Sequence, residues 1–566
     1  MRRFTLVFLI LCSLASFCHA AQVTEEHLGS MPHWTIRTPQ DFALCKNMGN
    51  DITRMAADLQ ACFTTPYGRH VVAVVAKQND QCAMWQDGSE GPTFQQIRHI
   101  VRGAYDDKNI AFTPDGSRVA YEGKTDKGWV MVVDGKPGPV FYDIDNITYS
   151  QNSKHFAYMG VVKDGIAVPV IDGKVGPTVQ LMPSWYVPTM AGDPSWPDTT
   201  PNGRIAFSPD GSRVAYLLRK KRDANGYDNS AVVLDGKEGP VYTGITAGAF
   251  SRDSRHFAYV AMKNEQYCVI VDGKQGPLFN GVIDTTVTFS PDGTHVAYVV
   301  ATDDGNGSRV VCDGKLGPVF ETIDDTSLTF SHDSKHLAYA ASQQEKFFIV
   351  LDGKPGPRYD QVGNSYGSQT LYAVFNPLNN QLCYQAKKGE KYVMVIGGKE
   401  SPAYDEIGNA LPVISPDGKH IAYAVKKADY RWAVVNDGVE SPVYDNVTWN
   451  SLRYSDDGRL SFQARTLDSR GNFIAVINGH DMRNYTCSSD ITFSHDGQHY
   501  AYFGSDGDYA GLVVDGAVVV RCTEIAQFGG HGPVIDDDGA IRLVGVRKHN
   551  TGDRIISDIY RFTVKL

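Results

Sequence analysis

Residues 286–323 read TVTFSPDGTHVAYVVATDDGNGSRVVCDGKLGPVFETI. A short apolar run, 287–290, meets the turn Pro291-Asp292-Gly293, and a β-rich run, 295–300, follows with Tyr298 inside it. A polar loop at 303–308 leads to a third run, 309–312, closed by Asp313-Gly314-Lys315; Gly317-Pro318 then opens a fourth, 319–323. Runs this short, bounded by Gly, Pro, Asp and Asn, are strands rather than helices. Four antiparallel strands in about 40 residues have the size of one β-propeller blade.

Working outward, the unit recurs along nearly the whole chain. Its first turn reappears around Asp115, Asn152, Asp210, Asp253, Asp333, Asp417, Asp457, Asp496 and Asp538, with weaker copies at Tyr67 and Leu378. Its second turn reappears at Asp87, Asp134, Asp172, Asp235, Asp272, Asp352, Gly397, Asp437, Asn478 and Asp515. Twelve units result, and self-similarity at this period predicts an all-β protein of tandem β-propellers built from four-stranded blades. A ring ordinarily holds four to eight blades, so two rings are expected. The degenerate first unit (PYGR, 66–69), the degenerate eighth (PLNN, 377–380) and a lengthened connection at 361–375 place the division near 362, giving seven blades and then five. Six plus six, divided near 323, is the alternative. The expected layout is a leader at 1–20, an extension at 21–63, a first propeller at 64–361 and a second at 362–566.

Within each unit the third run is the most continuously apolar, as at 129–133, 231–234 and 347–351, which suits a strand buried on both faces. The second run repeats Ala-Tyr, for example Ala215-Tyr216, Ala258-Tyr259 and Ala297-Tyr298. A small residue beside a large one fits packing between stacked blades. In Ser-Pro-Asp-Gly, Pro presets φ, Asp bonds neighbouring amides and Gly takes the left-handed exit. Turn chemistry thus accounts for the repeated aspartates without a catalytic role. FTPDGSRVAY (112–121), FSPDGSRVAY (207–216), FSPDGTHVAY (289–298) and SPDGKHIAY (415–423) resemble the WD-repeat-like propeller repeats of the TolB type, over about nine tenths of the chain after the leader. The resemblance implies the fold. It does not imply an activity, because such propellers chiefly serve as protein-binding platforms or as non-catalytic domains beside enzymes. The helical domain that precedes the propeller in TolB is not evident, so a TolB role does not carry over.

The chain has 566 residues, 11% aromatic and 21% charged, enough apolar content for a large core. Its net charge of −10 argues against a nucleic-acid partner, whose phosphates call for a basic surface. Arg2 and Arg3, the apolar stretch 4–17 and Cys18-His19-Ala20 read as a secretory leader cleaved before Ala21, so export to a periplasmic or extracellular space is expected. No later run reaches the ~18 apolar residues that span a membrane. In the extension, Ile52, Met55, Ala56, Leu59 and Phe63 share one face of a predicted helix, 52–63. Cys45 and Cys62 flank it and are the expected disulfide; Cys383, which replaces the Ala of Ala-Tyr, is expected as a buried thiol. No Cys/His spacing suggests zinc.

Antiparallel order puts both regular turns on one face and predicts that the variable connections emerge on the other. These are 181–204, 219–229, 302–308, 362–370 and 466–472. Variable loops on a rigid ring are the usual layout for recognition. The longest, LMPSWYVPTMAGDPSWPDTTPNGR (181–204), carries Trp185, Tyr186, Trp196 and four prolines, and aromatics on a restrained backbone make binding hot spots. These three are the candidate partner-binding residues. A histidine register, His155, His256, His295, His336, His420 and His499, has Arg118 and Arg213 at the same place in other units, which indicates a hydrogen-bond donor rather than a metal ligand. One histidine per blade also stands too far from its neighbours to share a metal. A lysine register, Lys136, Lys174, Lys237, Lys274, Lys315, Lys354 and Lys399, is read as solvated. Gly363-Asn364-Ser365-Tyr366-Gly367 matches the hydrolase pattern G-x-S-x-G but lacks the strand-to-helix elbow that gives it meaning. The acidic loops 303–307 and 223–228 hint at calcium but have no Glu-terminated loop.

No catalytic residues, metal or cofactor are assigned. The expected function is a non-catalytic exported scaffold binding a protein or cell-envelope partner. A propeller hydrolase or lyase using acids such as Asp193 or Asp198, and a carbohydrate-binding module with Trp185 and Trp196 as platform, are the alternatives.

Overall fold

The computed structural model describes residues 22–30, 62–64, 70–98 (without 78–80 and 88), 110–163, 166–180, 205–219, 229–281 (without 264), 287–366, 369–526 (without 372, 409–410, 428, 467–471 and 506–508), 532–550 (without 536–538) and 555–566. Among them the regular structure is almost entirely antiparallel β-strand, with no α-helix and a 3-10 turn at Asp325–Ser327. The fold is that of a β-propeller, built from successive antiparallel sheets, most of them of four or five strands.

The stretch that repeats in sequence is one such sheet. Thr288–Phe289 pairs with Val296–Ala301, that strand with Ser308–Cys312, and that in turn with Lys315–Phe320. The first three strands lie where the sequence placed them. The expected fourth run, 319–323, is divided. Phe320 ends the outer strand of its own sheet, and after a bend Thr322–Ile323 pairs with Leu337–Gln343 as the start of the next. The bend lets Phe320 and Ile323, in adjacent sheets, both be buried in the one core cluster that the two sheets share.

In several sheets the first strand is therefore assembled from two pieces. Gln96–Ile97 and Ile110–Phe112 both pair with Val119–Thr125. Gln361–Val362 and Val374–Phe375 both pair with Leu382–Lys388. Where the strand is continuous, as in Asp143–Tyr149, Gly244–Phe250 and Asn446–Tyr454, the register shifts at the same place. A gap of this kind strips a hydrogen bond from the second strand, and a buried orphan N–H is costly. A serine fills it in three sheets: the Oγ of Ser327, Ser451 and Ser489 accepts from the N–H of Ala340, Gln463 and Phe503 at 2.9, 2.8 and 2.9 Å.

Ala-Tyr is the unit of packing between sheets. Tyr298 joins a core cluster with Ala258 and Val260 of the preceding sheet, and Ala297 joins one with Tyr339 of the following sheet. Each alanine makes the room that the next tyrosine fills. The Gly of Lys-x-Gly-Pro serves the same neighbour, since a Cβ on Gly317 would stand 3.9 Å from the Tyr339 hydroxyl and 3.0 Å from the Val310 carbonyl oxygen.

Contacts divide the chain into two units. One joins Met1–Val140 with Val413–Ala422 and Tyr430–Leu566; the other joins Phe141–Pro412 with Tyr423–Asp429. The expected boundary at 361/362 falls within the strand Gln361–Val362. In the first unit, the N-terminal strand Gln22–Ser30 pairs with Ile555–Lys565 and so becomes the outer strand of the last sheet. The sequence pattern had left this segment outside the repeats. The predicted helix, 52–63, lies outside the described residues except for its end. There Cys62–Thr64 is a strand paired with Val71–Ala76, so Cys62 and Phe63 belong to the first sheet instead. Cys45 lies outside the described residues, as does 1–20.

Candidate functional site

Both regular turns are fixed by hydrogen bonds that repeat from sheet to sheet. In the first, Ser290 Oγ donates to Asp292 Oδ1 at 2.6 Å, the Thr294 N–H donates to the same oxygen at 3.0 Å, and the His295 N–H donates to Ser290 Oγ at 3.0 Å. The Asp292 N–H in turn donates to Ser334 Oγ of the next sheet at 3.1 Å. Asp210 and Ser254 repeat that link at 2.9 Å. These donors stabilise the charged carboxylate. Hydrogen bonds from the Ser290 hydroxyl and the Thr294 amide hold Asp292 well below the usual carboxylate range, and the Ser212 amide and Ser208 hydroxyl do the same for Asp210. Asp253, Asp333, Asp417, Asp457 and Asp496 are lowered as well. A general acid needs the opposite shift.

The second turn explains the histidine register. Asp313 sits in the left-handed region, φ 50°, where Asp is tolerated because its side chain bonds locally. Its Oδ1 accepts from the Val296 N–H at 3.0 Å and its Oδ2 faces His295 Nδ1 at 2.6 Å. The same link joins His155 to Asp172, His256 to Asp272, His336 to Asp352, His420 to Asp437 and His499 to Asp515. Arg118 and Arg213 replace it with an Nε donated to Asp134 and Asp235 at 2.9 Å. The register is thus a donor to a turn aspartate. Several rings also stack on an aromatic of the next sheet, as His256 does on Phe289 and His420 on Tyr454. Among the described residues no group of three or more His, Cys, Asp or Glu is placed to hold a metal ion. The seven register lysines are exposed at the start of the outer strands, and none makes an ion pair among the described residues.

The variable segments are of two kinds by the described strands that flank them. Residues 219–229, 302–308 and 466–472 connect second to third strands, at the sheet end opposite the regular turns. The described residues on either side of 181–204, and Gln361–Val362 and Val374–Phe375 about 362–370, instead belong to first strands. Gln180 and Ile205, either side of 181–204, both pair with Val214–Arg219. Trp185, Tyr186 and Trp196 lie outside the described residues, as do Asp193, Asp198 and 223–228. The Gly363–Gly367 motif contributes Asn364–Tyr366, which pairs with Gln369–Leu371 in a small hairpin; no strand-to-helix elbow is present there. In the 303–307 loop, Asp304 Oδ1 accepts from Thr302 Oγ1 at 2.6 Å and the Asn306 N–H at 3.2 Å, the pattern of a polar hairpin turn. Cys383 is a buried free thiol pushed up to about 12 by burial.

Sequence reasoning missed several aromatics. In the first unit, Tyr430 and Tyr509, in connections between second and third strands, are 80% and 51% exposed, and Trp449, where Asn446–Tyr454 shifts register, is 39% exposed. In the second unit Tyr142, 72% exposed, stands where the chain enters a first strand, beside exposed Val162 of the adjoining strand. The regular turns bear none of these. Their signal in the sequence was an aromatic in a connecting segment, which periodicity alone does not separate from a core residue.

No family model and no curated protein matches the chain. Among solved structures it is similar to the Dos1 propeller, at 11% identity over 56% of this chain and 88% of that one, with a TM-score of 0.27. It is similar to the β-propeller domain of the trilobed protease from Pyrococcus furiosus, at 13% identity over 49% and 96%, TM-score 0.25. It is also similar to TolB from Acinetobacter baumannii, at 14% identity over 52% and 77%, TM-score 0.21.

Proposed function

We propose that this propeller protein is a non-catalytic exported scaffold that binds a protein or cell-envelope partner through its variable segments. One observation carries the reading: the regular turns are committed to repeated hydrogen bonds, whereas exposed Tyr430, Tyr509, Trp449 and Tyr142 stand on connections or at irregularities of first strands. Tyr and Trp offer large contact area at low entropic cost, as a binding surface requires. Trp185, Tyr186 and Trp196 are proposed as further partner-binding residues. Export through the leader is part of it, and N-terminal sequencing of the mature protein is expected to begin at Ala21. A Cys45–Cys62 disulfide is likewise proposed, and non-reducing peptide mapping reads it directly; alkylation of both thiols without reduction removes it.

The test compares two double variants in capture from envelope extract. Replacing Trp185 and Trp196 with Ala is expected to weaken capture by at least ~2 kcal/mol, the size of a hot-spot loss. Replacing Lys274 and Lys315 with Ala is expected to leave it nearly intact. Equal recovery with the Trp variant and wild type, or loss with the Lys variant alone, reverses the assignment of the face.

A further inference from the structure

The first and last sheets of the first unit are tied together by a chain of alternating charges. The N-terminal strand is pinned to the C-terminal hairpin by Glu25, whose two carboxylate oxygens meet Arg547 at 2.7 and 3.0 Å, and by Glu26, which Arg561 reaches at 3.3 Å. Arg547 also lies over the rings of Tyr560 and Phe562. Arg561 continues the chain by donating to Asp87, in the second turn of the first sheet. Asp87 Oδ2 then meets His70 Nδ1 at 2.6 Å, and His70 Nε2 faces the Ser117 carbonyl oxygen at 3.1 Å.

His70 stands to Asp87 as the register histidines stand to their turn aspartates, and its contact with the Ser117 carbonyl oxygen parallels that of Arg213 with the Arg255 carbonyl oxygen. A carboxylate and a carbonyl oxygen only accept hydrogen bonds, so two such partners on the two ring nitrogens call for a proton on each. Glu26, Arg561, Asp87 and His70 then alternate in sign along the chain. A neutral ring would leave one lone pair facing an oxygen. We propose that this seam is a pH-responsive clasp, in which protonated His70 joins the first sheet to the N-terminal strand and the C-terminal hairpin and its deprotonation loosens that junction.

The sign follows from the surroundings. The hydrogen bond to Asp87 raises the His70 pKa above its ordinary 6.5, opposed by desolvation, and helped by the Asp87 charge and the Ser117 carbonyl; Arg561 lowers it. A pKa raised in the folded state gives a stabilisation that is complete below the unfolded value of ~6.5 and lost as the pH climbs through the folded value. The clasp is therefore closed in mild acid and weaker in mild alkali. Every ~10-fold gain in the folded ring's affinity for its proton makes the protonated clasp ~10-fold harder to open than the neutral one.

Hydrogen exchange of the full chain, corrected for the intrinsic pH dependence of amide exchange, tests this. Protection of residues 22–30 and 555–565 is expected to fall several-fold between pH 6 and pH 9 in the wild type and to change little in His70→Gln. Unchanged wild-type protection, or the same pH dependence retained in His70→Gln, overturns the proposal. NMR titration of the His70 ring in wild-type protein provides a readout that needs no variant. A midpoint above 6.5 supports the clasp, and one at or below 6.5 overturns it.

Discussion

Gln385 is 1% exposed, and among the described residues neither its amide nitrogen nor its amide oxygen has a hydrogen-bond partner. At the corresponding place in other second strands Val299 and Ala340 are apolar and buried, whereas Glu122 and Gln463 are polar but bonded, to Arg98 and to the Ser489 carbonyl oxygen. An orphaned buried amide costs about 1–3 kcal/mol, while an apolar group of similar shape does not. Gln385→Met is expected to raise the thermal midpoint, as calorimetry can read; a lowered midpoint would show that the amide has a partner in solution. His295 makes the complementary case. Arg at two other places in its register donates to the same carboxylate oxygen, so His295→Arg is expected to keep the midpoint of the wild type. His295→Leu is expected to cost ~1 kcal/mol, modest because the pair is partly exposed. That interchange was legible in the sequence, since two residue types sharing only a donor occupied one position. The Gln385 orphan was not, because nothing in the sequence shows which face of a strand lacks a partner.

At the scale of the element, the second strand sets how closely sheets stack. A Cβ on Gly160 would stand 2.5 Å from the ring of Phe141, which lies in the outer strand of the preceding repeat. Gly123 meets Phe94 in the same way at 2.6 Å. Gly160→Ala is expected to destabilise by ~1–3 kcal/mol, the usual cost of overpacking. Adding Phe141→Leu is expected to recover part of the loss, so that the two effects are not additive in a double-mutant cycle. Additive effects in denaturant unfolding would show that the ring does not oppose the new methyl group. The sequence showed where most strands lie, because turn residues bound them. It did not show that in several sheets the first strand is built from two pieces, since that depends on pairing such as that of Thr322–Ile323 across a bend with Leu337–Gln343.

For the whole molecule, the turn aspartates govern the response to acid. Their folded pKa values lie below the ordinary ~3.9, so the stabilisation they give is present above that value and lost as the pH falls through the depressed ones. Unfolding monitored by circular dichroism is therefore expected to begin only below about pH 4, and Ser290→Ala with Ser208→Ala, which removes two of the donors, to move it to higher pH. An unmoved acid midpoint would assign acid unfolding to other groups. The His70 clasp has the opposite sign, which separates the two contributions experimentally.

The sequence by itself determined the β-propeller class, the turns and the Ala-Tyr packing code, because each is written within one repeat of about 40 residues. Local chemistry suffices there: Asp-Gly turns, alternating burial and a small residue beside a large one. Only the tertiary structure decided that Gln22–Ser30 completes the last sheet, that Arg561 links Glu26 to Asp87, and that the variable segments are of two kinds by the described strands that flank them. Those outcomes rest on residues hundreds of positions apart. Pairing at that distance depends on which strand edge is left open once the repeats have stacked, and no single repeat records it.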